Sequence, residues 1–245
     1  MKSILSICFL FAMISCTSDS VTPLKIREFE GAVCVDCPKV RISIPEAGEN
    51  TVLGKSVNTG VREEIIELLD FDQNKNAVDI PGAIDAFTAG FRNLQEEFPE
   101  ELTGWEASVT GTKSYEDPFL LTIKLETYLF TGGAHGYGAT RYLNFDKKTG
   151  AERLGSELLN DPEAFSEFAE RAFREKYDIP AGAPINSTGF MFEENQFTLP
   201  ENIGLSADAI VLHYNPYEVA SYADGSLILE IPLDKGRAFL EQPRD

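Results

Sequence analysis

The chain offers few side chains suited to chemistry. Histidine occurs only twice, as His135 and His213. A Ser-His-Asp hydrolase needs a nucleophile elbow, and no G-x-S-x-G occurs. A zinc hydrolase needs two imidazoles on one helix face, as in H-E-x-x-H, which is absent. Gly132-Gly133 lacks the G-x-x-x-x-G-K spacing that turns backbone amides toward a phosphate. Acidic pairs such as Glu193-Glu194 have the residue type that glycoside hydrolysis uses. With 40 acids in the chain, such pairs arise from abundance alone. No catalytic residue, no metal site and no cofactor is therefore expected.

The four cysteines divide into two groups. Met1-Lys2-Ser3 carries one positive charge, and an apolar run follows over residues 4–14. That run is too short for the roughly 20 residues of a transmembrane helix and suits the h-region of a signal peptide. It ends in Ser15-Cys16, which resembles a bacterial lipobox, although Met13 stands where leucine is usual. Cys8 would leave with residues 1–15, and Cys16 would become the first residue, carrying diacylglycerol and palmitate. Two or more chains hold a protein on a membrane durably. An ordinary secretory peptide with an incidental cysteine is the competing reading. The remaining pair is Cys34-Val35-Asp36-Cys37. In an oxidising exported compartment it reads as a local disulfide. A thioredoxin-like redox pair needs a helix behind it to lower a thiol pKa. Here Pro38 and the strand-like 39–44 follow instead.

His135 stands among Gly132, Gly133 and Gly136, on a loop where backbones can approach closely. It reads either as a ligand-contacting imidazole or as a ring that satisfies a tight turn. Tyr214, Tyr217 and Tyr222 divide the same way, between an interface role and a core role. Gly132, Gly133, His135, Tyr137 and Tyr217 are the candidate partner-binding residues.

The formal charge is −19, and loss of residues 1–15 removes Lys2 and no acid. Such acidity argues against nucleic acid, which needs clustered Lys and Arg, and against adsorption to anionic lipid. It permits attraction to basic partners with a salt-dependent on-rate, or simply confers solubility.

These residues must be positioned by a mixed set of elements. Residues 17–30 are polar and aperiodic, and read as a tether. Val40, Ile42 and Ile44 alternate as a strand does. Ile80, Ile84, Phe87, Phe91, Leu94 and Phe98 form one helical stripe, with Asp79 as cap and Pro81 in the first turn. Strands are expected from Trp105 to Val109, over 119–130 with Phe119, Leu121, Ile123, Leu125 and Leu129 on one face, and over 141–145. A second helix fits 162–177, capped by Asp161. Further strands are expected at 197–199, 209–214 and 227–231, with Asp224-Gly225 as a hairpin turn, and a short helix at 234–240. Helices set among consecutive strands indicate α+β, with mostly antiparallel sheets.

Residues 128–136, Tyr-Leu-Phe-Thr-Gly-Gly-Ala-His-Gly, are followed by Tyr142-Leu143-Asn144-Phe145-Asp146 and Thr149-Gly150. This segment resembles the junction of two bacterial domains of unknown function, DUF4163 and DUF3298. Phe197-Thr198-Leu199, the tyrosine-rich 208–225 and Leu229-Glu230-Ile231-Pro232-Leu233 resemble the second of them. The resemblance spans roughly residues 38–243. Beyond the expected signal peptide at 1–15 and the lipidated tether with the CxxC at 16–37, it implies a DUF4163-like part at 38–135 and a DUF3298-like part at 136–245. The two αβ parts would pack together.

Such domains resemble bacterial lipoproteins of unassigned role, the non-catalytic part of a peptidoglycan deacetylase, and the outer part of a lysozyme-sensing anti-sigma factor. Neither a deacetylase domain nor an anti-sigma segment is expected in this chain, so only the binding role carries over. The expectation is a non-catalytic lipoprotein, facing the periplasm or the cell exterior, that binds a lysozyme-like basic protein or cell-wall peptidoglycan. An enzyme acting on envelope polymers and a structural envelope component are the alternatives.

Overall fold

The computed structural model describes residues 21–34, 36–71, 77–99 and 103–241. The expected signal peptide at 1–15 and the expected lipidation site Cys16 lie outside the described residues. Among the described residues, no helix is long and apolar enough to cross a membrane.

The first part is a six-stranded sheet, ordered along the chain as β1 (Leu24–Glu30), β2 (Lys39–Ala47), β3 (Glu106–Glu116), β4 (Leu120–Phe130), β5 (Tyr137–Asp146) and β6 (Glu152–Arg153). All neighbours are antiparallel except β2 and β3. A parallel pair needs a crossover, and here it is made by α1 (Val52–Leu69) and α2 (Ile80–Glu97). The two helices bury Val57, Ile65 and Phe87 against Ile42, Leu121 and Leu125 of the sheet. The second part is a three-stranded antiparallel sheet of β7 (Ile203–Leu205), β8 (Ala209–Tyr214) and β9 (Leu227–Pro232), packed with α3 (Pro162–Lys176) and the short α4 (Leu233–Gly236). Phe165, Phe173, Ile185, Leu212 and Tyr214 form its core. The architecture is α+β in two αβ parts, as the element pattern predicts.

Several elements follow the sequence closely. Asp79 caps α2 by accepting from the Gly82 amide at 2.8 Å, and Asp161 caps α3 by accepting from Ala164 at 3.0 Å. Others differ, each for a physical reason. Helix α1 is not foreseen, because Gly54, Asn58, Thr59 and Gly60 lower its intrinsic propensity. Its stripe is nonetheless present as Leu53, Val57, Val61, Ile65 and Leu69. Gly60 packs closely: a Cβ there would stand 3.2 Å from the Phe145 ring, which would have to give way by a few tenths of an ångström. The expected tether at 17–30 contains β1, which pairs with β2 along its length. Most of its residues are exposed, so burial imposes no alternation. Residues 197–199 are irregular rather than a strand, although Phe197 and Leu199 still pack on the second core. Phe119 precedes β4 and is exposed instead of joining its buried face. Asp224-Gly225 is not a two-residue hairpin, since β8 and β9 are joined by residues 215–226.

The parts meet along the outer edge of β5. On one side β5 pairs with β4; on the other, β6 covers only Asn144 and Phe145. The uncovered backbone is satisfied by side chains. Asn202 accepts from the Tyr142 amide at 2.9 Å and donates to the Thr140 carbonyl at 2.7 Å. Asn215 accepts from the Thr140 amide at 2.8 Å and donates to the same carbonyl at 3.1 Å. From the opposite direction, buried Asn144 donates to the Ile203 carbonyl at 2.9 Å, and Ser114 donates to Leu205 at 2.8 Å. Gly204 is needed here, because a Cβ would stand 2.3 Å from the Tyr142 ring. Asn202→Leu keeps the side-chain volume and leaves the covered Tyr142 amide unpaired, while the Thr140 carbonyl keeps Asn215. Such a group costs about 1–3 kcal/mol, so a urea titration should show a loss of that size.

Candidate functional site

Two glycines open the β4–β5 connection: Gly132 at φ +109° and Gly133 at φ +86°. Both lie where side-chain-bearing residues are strained. Gly136 serves close approach, because a Cβ would stand 2.4 Å from the Tyr128 hydroxyl. This loop carries His135 against the β8–β9 connection of the other part. The imidazole stacks on Tyr222, with ring centres 3.8 Å apart and planes at 14°. Its Nδ1 lies 3.0 Å from the Gly136 carbonyl, which also accepts from the Tyr222 hydroxyl at 2.6 Å. Tyr217 extends the row, with its ring centre 5.4 Å from that of Tyr222. Tyr137 donates to the Pro216 carbonyl at 3.3 Å.

The result is an aromatic ledge assembled from both parts. Tyr217 is 61% exposed, Tyr137 40% and Tyr128 39%. Tyr217 has φ +74°, a left-handed backbone that costs about 1–3 kcal/mol in a bulky residue. Burial, and then the charge of nearby Glu218, raise the Tyr137 pKa. Burial likewise raises the Glu218 carboxyl. The ledge therefore presents phenol hydroxyls and flat apolar faces beside a carboxylate, a combination suited to recognition.

All five candidate residues, Gly132, Gly133, His135, Tyr137 and Tyr217, belong to this one region. Tyr222, which the sequence leaves between an interface and a core role, joins them as the ring on which His135 stacks, and Tyr128, which no sequence signal marks as a site residue, fills the space beside Gly136. The five-residue spacing of Tyr217 and Tyr222 in one connection was the available signal. Tyr214 lies apart: it is buried, and its hydroxyl donates to Thr198 at 2.6 Å. Cys34 and Cys37 stand at disulfide distance, with Cα atoms 5.2 Å apart, in the connection from β1 to β2.

His213 lies elsewhere, on β8, on the face turned toward the large sheet. It is 3% exposed, and neither ring nitrogen has a hydrogen-bond partner. The Tyr142 ring lies 6.3 Å away. Burial, and then the charge of Lys124, lower its pKa to about 4, with Glu126 opposing.

The fold and this region define an α+β protein class in which two sheet-and-helix parts share one aromatic ledge. Two family models match separate parts of the chain. Residues 156–234 match the family model described as "Protein of unknown function (DUF3298)", and residues 35–137 match the one described as "Deacetylase PdaC". Among solved structures it is similar to a DUF3298 family protein of Pseudomonas aeruginosa PAO1, with 21% identity, TM-score 0.63, and 91% of this chain and 96% of that chain covered. It is also similar to a DUF3298 family member of Bacteroides fragilis NCTC 9343, with 16% identity, TM-score 0.65, and 91% and 94% covered. No curated protein matches the chain.

His213 generates a pH prediction. Its folded pKa, about 4, lies below the unfolded value of 6.5, so the unfolded chain binds its proton first. The stability of the neutral ring is fully present above pH 6.5 and is lost as pH falls toward 4. His213→Leu should flatten the stability profile across that window, removing a slope worth on the order of 3 kcal/mol in total. Denaturant midpoints measured at intervals from neutral pH downward test this. An unchanged slope in the variant would place the titration on other groups.

Proposed function

We propose that this protein is a non-catalytic binding module of the cell envelope, held by a lipidated Cys16, which contacts a basic extracellular protein through the aromatic ledge. The ledge itself carries the reading. Exposed tyrosines, with Tyr217 held on a strained backbone, are suited to serve as contact anchors, since tyrosine is enriched among residues that dominate binding energy. The net charge of −19 and Glu218 beside Tyr217 favour a cationic partner. By resemblance, that partner is lysozyme-like.

The description of the N-terminal family model names a deacetylase. Against carrying that activity over stands the composition of residues 35–137, whose only histidine is His135. A metal-dependent hydrolase needs three protein ligands around an open position. His135 instead faces the Tyr222 ring and the Gly136 carbonyl. His213, the other imidazole, is buried away from the ledge.

Electrostatics would set mainly the association rate, and the ledge the dissociation rate. Calorimetry of the protein with lysozyme should show binding that weakens from low to physiological salt. Tyr217→Ala and His135→Ala should each weaken it about tenfold or more. Absence of binding at both salts, with peptidoglycan fragments binding in its place, would replace the basic-protein reading with a wall-binding one.

A further inference from the structure

The end of the molecule opposite the ledge has a different character. The described chain starts there, at Val21. The Thr22 amide donates to Glu116 at 2.6 Å, fixing the incoming chain beside the β3–β4 turn. The same carboxylate receives Lys113 at 2.6 Å and Lys147 at 2.8 Å. Asp117 is occupied in closing the turn, accepting from the Phe119 and Leu120 amides at 2.7 and 2.8 Å. That turn directs Phe119 outward, 54% exposed. Lys147 donates its amide to the Phe119 carbonyl at 2.7 Å, which brings the β5–β6 turn alongside. In that turn Gly150 lies against Val52, which is 65% exposed; Val21 is 68% exposed. Three apolar side chains thus project from one end, around a carboxylate already neutralised by two ammonium groups.

Only five Cα-to-Cα steps separate Cys16 from Val21. Fully extended, they reach at most about 17 Å. A lipid on Cys16 therefore holds this end, and no other, close to the bilayer surface. The ledge stands at the far end of β4, whose 11 residues, joined by steps of about 3.3 Å, place it about 33 Å away.

We propose that the end carrying Val21, Val52 and Phe119 is a membrane foot. It rests on the phospholipid bilayer, seats these side chains among the headgroups and holds the ledge away from the surface. The proposal rests on the reading of Cys16 as the lipid anchor. It fixes the orientation of the ledge toward soluble or wall-bound partners rather than membrane lipid.

The test uses the full lipidated chain, reconstituted in phosphatidylcholine vesicles with brominated acyl chains. The one native tryptophan, Trp105, is buried in the first core and gives the background signal. Phe119→Trp reports on the foot, and Ala134→Trp on the hairpin tip beside the ledge. Quenching several-fold stronger at 119 than at 134 is expected. Hydrogen exchange of the wild-type chain gives a second readout, with the amides of Asp117, Phe119 and Leu120 slowed on vesicle attachment and those of 132–136 unchanged. Flotation and mass spectrometry of the same preparation report the anchor. A chain that carries no lipid and does not float overturns the anchoring reading, and the foot with it. A chain that floats with equal quenching at both positions, or none at 119, overturns the foot alone.

Discussion

A strand edge that is covered by another part of the chain must find partners for its backbone groups, because an unpaired buried amide costs more than most contacts return. In this protein that edge belongs to β5, and its partners are asparagine side chains. Asn202 and Asn215 place donors and acceptors on Thr140 and Tyr142 where a further strand would otherwise run. The amide side chain is suited to this, since it carries a donor and an acceptor with the geometry of a peptide group. The seam is short-range and directional, so it fixes how the two sheets meet as well as joining them. Around it the contact is tight enough to exclude a side chain at Gly204.

The ledge follows from the seam by chain connectivity. Asn215 immediately precedes Pro216 and Tyr217. Fixing Asn215 on β5 places the Pro216 carbonyl under the Tyr137 hydroxyl and sends Tyr217 outward at positive φ. The cost of that backbone is offset by stacking, worth about 0.5–1.5 kcal/mol per aromatic pair beyond buried area, and by the Tyr222 hydrogen bond to Gly136. Neither part holds the whole ledge: His135 and Tyr137 come from the first sheet, and Tyr217 and Tyr222 from the connection in the second. A surface of this construction reports on the docking of the parts and is lost when they separate.

The sequence made local elements legible where burial imposed a period. Helices α2 and α3 are legible because one face of each is apolar and a cap marks its start, and strand β8 because its short run is apolar and buried almost throughout. Strand β1 escaped, because an edge strand with little burial has no period to read. Helix α1 escaped because two glycines and two weak helix formers sit within an intact stripe, and Gly60 packs closely on Phe145. The ledge was half legible. Its glycines and His135 stood out as a local motif, whereas the pairing with Tyr222 spans 86 residues and leaves no local trace. The seam was not legible at all, since Asn202 lies 62 residues from its partner Thr140 and an asparagine in a loop ordinarily signals a turn.

Hydrogen exchange at the amides of Thr140 and Tyr142 tests this account most directly, because each is bonded only to an asparagine side chain of the other part. The account predicts that both exchange as slowly as the β4–β5 ladder amides of the same strand. Exchange at the rate of the exposed hairpin amide of Ala134 would show that the seam is open, and would contradict the account.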